Sequence, residues 1–396
     1  MFTSRRLIVA GAVLVVALGA LAVGLQAQGV KVSDPTSVVM IVNRDSNDIA
    51  FMDIKTHAMV GRVFLGNNVN PHMVMMSPDG RYVVTGGTRA NKAFIIDTKT
   101  LQLVKTIPVD IAPEHLAFSP YSRWYYQGNP EGDSISVIDM QSLSKIKTIP
   151  GFAEPLNVTF LPDGSKAYIG NYGAHWVGVV DVRRHELVKK IPIAEVPGVA
   201  KLDPEKYLGE IHGINIAMPS PDGKYLYAAD GTLGIVGVID PREDKVIKHI
   251  RVGKDPWRIY MGHDGKYAIT PNNGDQTISI IDLKTNTVAA TLEAGPNMTG
   301  VNFAAGKAFV ISSTSGFVYV YDMTSLKPAG RIKMGTNVQL ETATTDTKDE
   351  KMYLAESTNH EVLIIDGKTQ QVEHVKNVGL FPWGTHIMDS KDNYCH

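Results

Sequence analysis

Cysteine is almost missing: the 396-residue chain contains one, Cys395. That excludes an internal disulfide framework and any metal site built from cysteines. Covalent haem attachment through C-x-x-C-H is excluded as well, since the terminal Tyr394-Cys395-His396 is only half of that motif. An excess of one charge is also missing. Basic residues number 39 against 40 acidic ones, a formal net charge of -1, so nothing draws the chain towards nucleic acid. No G-x-S-x-G, H-E-x-x-H or phosphate-binding loop occurs, and no catalytic, cofactor-binding or metal-ligating residue is expected on motif grounds. Long apolar runs are absent beyond the first 25 residues, so no membrane span is expected in the mature chain.

The one apolar run sits at the N-terminus. Arg5 and Arg6 precede an uncharged stretch from Leu7 to Leu25, followed by the small-residue exit Leu25-Gln26-Ala27-Gln28-Gly29. This pattern predicts a signal peptide over residues 1–27, cleaved after Ala27, and an exported, extracytoplasmic protein. A run of this length also leaves room for an uncleaved anchor.

The rest of the sequence repeats itself. SPDGRYVVTGG from Ser77 returns as LPDGSKAYIGN from Leu161, SPDGKYLYAAD from Ser220 and GHDGKYAITPN from Gly262. A second apolar, β-branched strand follows each and ends in aspartate: Asp53, Asp97, Asp139, Asp181, Asp240, Asp282, Asp322 and Asp366. Their spacings are 44, 42, 42, 59, 42, 40 and 44 residues. A period near 42 in strand-rich sequence is that of a propeller blade with four short strands. Asp-Gly supplies the positive φ of a tight hairpin, and the terminal aspartate accepts backbone N–H bonds to close the next turn. The expected fold is all-β: a closed β-propeller of four-stranded antiparallel blades over residues 28–396. Eight aspartates imply eight blades, with seven as the alternative. The chain starts on a second-type strand, SVVMIVN, and finishes on a first-type one, FPWGTHIMDS. The C-terminal strand should therefore join the N-terminal blade and close the ring.

In such a ring the starts of the first strands surround one channel mouth. That places His72, Glu114-His115, His212 and Trp383 there. Their offsets from the following turn differ and carboxylates beside them are few, which argues against a shared ligand set. The same face carries the one break in the period, about 17 extra residues within Ala194–Gly213. This loop, with Glu195, Lys206 and Tyr207, is a candidate docking element. So is the next crossover, Asp255-Pro256-Trp257-Arg258, because Trp and Arg carry much of the energy of protein interfaces. Trp257 equally fits a wedge between blades.

Repeats such as SISVIDMQSLSKIKTIP and TISIIDLKTNTVAATLEAG resemble the YVTN-type propeller family, similar in style to the haem d1 domain of cytochrome cd1 nitrite reductases. The whole chain, with the enlarged loop after VKKIPIAEVPG, the VGKDPWRIYMG crossover and the tail DSKDNYCH, resembles the β subunits of hydrazine synthases from anaerobic ammonium-oxidising bacteria. That resemblance implies a haem-free, non-catalytic scaffold whose partners are c-type haem-bearing subunits of alpha and gamma type. It also implies an anammoxosome location, the periplasm being the alternative, and a loop that shapes or gates hydroxylamine transfer. Two other readings stand beside it: a propeller holding haem d1 or a metal through His72, His115 or His212, and a stand-alone surface propeller.

Overall fold

The repeated turns fold as their residue types require. In the computed structural model, which describes residues 32–194 and 211–392, Gly80, Gly164, Gly223 and Gly265 of the four Asp-Gly turns have φ of 69–70°. A side chain is strained in that region, which is why glycine recurs there. Each of the eight strand-ending aspartates accepts, through Oδ1, a backbone N–H two or three residues further on, at 2.7–3.0 Å.

Among the described residues these hairpins assemble into eight four-stranded antiparallel sheets. Seven are continuous in sequence. In blade 2, for example, Pro71–Met76, Tyr82–Gly87, Lys92–Asp97 and Gln102–Pro108 run from the channel outwards. Blade 1 is composite: Val38–Asn43, Asp48–Asp53 and Met59–Phe64 take their innermost strand, Pro382–His386, from the far end of the chain. Met40 pairs with His386, Ile41 with Thr385 and Val42 with Gly384. The ring thus has eight blades and closes with the C-terminal strand, as the repeat count predicted.

Apolar packing and side-chain ties both join neighbouring blades. The middle strands are buried on both faces, so they read as continuous apolar runs. Tyrosines at one repeat position reach the next blade: Tyr168 donates to Asp244 Oδ1 at 2.5 Å and Tyr227 to Asn286 Oδ1 at 2.5 Å. Tyr353 ties blade 8 to the Ile54 carbonyl of blade 1 at 3.2 Å. The outer strands are edges, and the register of blades 2 to 5 shifts beside Val104, Ile146, Val188 and Ile247. Such bulges discourage pairing with another chain.

Beyond the closing strand, the tail crosses the inner ends of three blades at the opening opposite the mouth. Asp392 is fully buried. Its carboxylate accepts from His263 Nε2 (2.7 Å), the Phe303 N–H (2.8 Å) and Thr345 Oγ1 (2.9 Å), in blades 6, 7 and 8. Among the described residues no helix is long and apolar enough to cross a membrane.

Candidate functional site at the channel mouth

The starts of the inner strands are in closer register than the turns suggest. Pro71, Pro113, Pro155, then Ile214, Pro256, Met298, Leu340 and Pro382 are 42 residues apart except across the long loop. At Pro71, Pro155, Ile214 and Leu340 the ladder is interrupted directly afterwards, and pairing resumes three residues on. Two consecutive residues are freed from the ladder at these positions. His72 lies in such a freed pair, whereas Glu114 and His115 keep backbone bonds to Gly128, so the two strands enter the mouth differently and unequal offsets do not keep the histidines apart.

His72 follows Pro71 by one residue and His115 follows Pro113 by two, yet their rings lie 5.3 Å apart between centroids. Both are buried, at 5% and 1% exposure. Glu114, partly exposed, completes the group. One ligand atom from each of His72, Glu114 and His115 lies within 4.8 Å of the others. Glu114 Oε2 stands 3.9 Å from His115 Nδ1. The expectation that these histidines fail to converge is therefore corrected for His72 and His115. His212 belongs to a separate arrangement: its Nδ1 pairs with Asp255 Oδ1 at 2.9 Å, and its ring stacks on Tyr172 at 5.7 Å. Trp383 packs against His72 at 5.6 Å and carries the Arg44 guanidinium 4.2 Å above its ring.

The crossover candidates separate. Arg258 is only 2% exposed and turns inwards, donating from its guanidinium to His115 Nε2 at 3.3 Å. Pro256 is buried too. A guanidinium committed to the channel does not reach a partner's surface, so the docking expectation is corrected for Arg258 and Pro256. Asp255 and Trp257 remain partly exposed. Trp257 meets Tyr172 edge to face at 5.6 Å, and its indole N–H is buried without an acceptor among the described residues. Glu195, Lys206 and Tyr207 lie outside the described residues.

His72, Glu114, His115, Glu131, Glu154, Leu156, Tyr172 and Trp257 line a cleft of about 480 Å³ at the mouth. Burial, with the Glu131 and Glu154 carboxylates nearby, pushes Glu114 up to about 7, against a pull downwards from Arg44. In a Glu-labelled sample its carboxyl resonance should therefore titrate with a midpoint about 7, and Glu131→Gln or Glu154→Gln should each lower that midpoint. The folded-state pKa lies above the ordinary 4.5. Glu114's contribution to stability is thus complete at acid pH and lost as the pH rises to about 7. A midpoint near 4.5 contradicts this electrostatic picture. Arg44, Tyr172 and Glu154 were not singled out from sequence, whereas Glu114 was placed at the mouth beside His115. The repeat of the inner-strand starts gave that position, and only the fold brought Glu114 to His72.

His175 forms a further pair at this face, its Nδ1 2.8 Å from Asp230 Oδ2. The hydrogen bond to Asp230 raises the His175 pKa, while burial raises that of Asp230. His386, deeper in the channel, is pushed down to about 3 by burial and is neutral.

Fold and mouth together define a closed eight-bladed propeller with a polar, aromatic-walled cleft at one end of its channel. No protein-family model matches the sequence, and no curated protein does. Among solved structures, the chain is similar to dihydro-haem d1 dehydrogenase NirN in complex with DHE, with a TM-score of 0.73 and 19% identity over 90% of this chain and 76% of that one. It is similar to Kuenenia stuttgartiensis hydrazine synthase, with a TM-score of 0.53 and 21% identity over 79% of this chain and 97% of that one. A functionally unknown protein from Desulfotomaculum acetoxidans DSM 771 gives a TM-score of 0.57 and 12% identity, covering 89% of this chain and 98% of that one. At these identities the likenesses establish the propeller fold.

Proposed function

We propose that the chain is an exported, haem-free propeller subunit of a haem-based redox assembly of the hydrazine synthase kind. In this reading its mouth face docks on c-type haem-bearing partners. The supporting observation is the mouth itself, where a partly exposed Trp257 stands beside Asp255 at the margin of a cleft. Such an aromatic suits an interface anchor. The likeness to hydrazine synthase, over nearly all of that chain, adds to it. In that role the propeller needs no reaction chemistry of its own, in keeping with the motifs missing from its sequence.

The test is native purification followed by identification of co-eluting proteins. Multi-haem c-type subunits are expected in the complex. Trp257→Ala should weaken that association by about 30-fold, equivalent to about 2 kcal/mol, with a melting temperature close to wild type. A colourless monomer that co-purifies with no haem protein refutes the proposal.

A second reading, a macrocycle held over the channel, is favoured by the buried His72 and His115 and by the likeness to NirN. It differs in one observable: the chain expressed alone is coloured.

A further inference from the structure

We propose that His72, Glu114 and His115 bind one divalent first-row transition-metal ion, Zn2+ or Cu2+, at the inner end of the mouth cleft. This goes beyond the docking role and is independent of which partner the propeller meets.

Three features bear on the proposal, the first and third in its favour and the second as its condition. The first is the donor set. Two imidazoles and a carboxylate, brought from adjacent blades to within 4.8 Å of one another, suit Zn2+ or Cu2+ better than Ca2+ or Mg2+, which prefer all-oxygen shells. His72 and His115 are fixed by burial, whereas Glu114 lies at the wet side and has freedom to close the remaining distance. Metal–ligand bonds of about 2.0–2.2 Å require a contraction of roughly 1 Å across the group.

The second feature is orientation. Arg258 donates to Nε2 of His115, so Nδ1 is the nitrogen turned towards Glu114 and, in the neutral ring, the one carrying the proton. Ligation through Nδ1 therefore moves the proton to Nε2 and requires the Arg258 guanidinium, which only donates, to turn away from it.

The third is charge and access. Glu131 and Glu154 line the same cleft, so three carboxylates stand against the cationic Arg44 and Arg258 before any ion arrives. The cleft leaves space in front of the three side chains for water or a small ligand to complete the coordination.

The experiment uses the full mature chain, stripped with a chelator and titrated with Zn2+ by calorimetry. Saturable one-to-one binding is expected. Combined His72→Ala and His115→Ala should weaken it by about 100-fold or more and Glu114→Gln by about 10-fold, while His212→Ala, outside the group, leaves it unchanged. Circular dichroism and melting curves confirm that each variant is folded. Should the double variant fail to fold, Cu2+ paramagnetic resonance on the wild type decides: hyperfine coupling to two imidazole nitrogens is expected. No saturable binding up to about 100 µM, full affinity in the folded double variant, or a Cu2+ signal without nitrogen coupling each overturns the site.

Discussion

Removing residues 382–396 is expected to abolish cooperative folding of the ring. The deletion takes away the innermost strand of blade 1 and with it the pairing of Pro382–His386 to Met40–Asn43. Val39, Met40, Ile41 and Val42, all at most 2% exposed, lose their cover on the channel side. Blades 1 and 8 also lose one of their links, because Thr385 Oγ1 donates to the Tyr353 carbonyl at 2.6 Å, and keep the Tyr353 bond to Ile54. An open ring presents a bare sheet edge, which favours association with other chains. The expected loss exceeds about 5 kcal/mol, comparable with the whole stability of many domains, so the truncated protein should aggregate or melt without a sharp transition. Sizing and circular dichroism check this. A monomeric deletion variant melting sharply within about 5 °C of the full chain shows that closure contributes little.

Asp392→Ala should give the second largest effect, a loss of about 3 kcal/mol and a melting temperature lower by about 5 °C. One fully buried carboxylate satisfies donors from three blades, so alanine leaves the Phe303 N–H, the Thr345 hydroxyl and His263 without that acceptor. Unmet buried donors cost about 1–3 kcal/mol each, and water entering at the channel end recovers part of that. Asp392→Asn is the informative control. Its carbonyl can replace Oδ2 towards Phe303 and Thr345, and its amide can donate to Nε2 of a neutral His263. The amide should therefore cost only about 1 kcal/mol. Equal losses for both variants would falsify the hydrogen-bond explanation and indicate that the tail acts through its charge alone.

Most of the architecture was legible because its determinants are local and repeated. Each strand-ending aspartate closes a turn within three residues, and each Asp-Gly supplies its own positive φ, so a count of aspartates gave a count of blades. Closure was also legible, since FPWGTHIMDS is a first-type strand lacking its own blade and SVVMIVN lacks a first strand. The mouth was legible only as an address. His72, His115, His212 and Trp383 could be placed near one rim, but the offsets of the histidines wrongly separated His72 from His115. The bulges after the inner-strand starts have no strong sequence mark, and they decide which of two consecutive residues faces the channel. Arg258 was misjudged for a related reason. A residue type common at interfaces says nothing about direction, and here the side chain turns to His115.

The sequence by itself determined an eightfold, all-β ring joined end to end, because turn chemistry and strand alternation act over a few residues and recur every 42. Tertiary structure alone decided that His72, Glu114 and His115 meet, that Arg258 is internal, and that Asp392 fastens three blades. The contacts between blades join residues 42 to 143 positions apart, and their geometry exists only once the blades have packed.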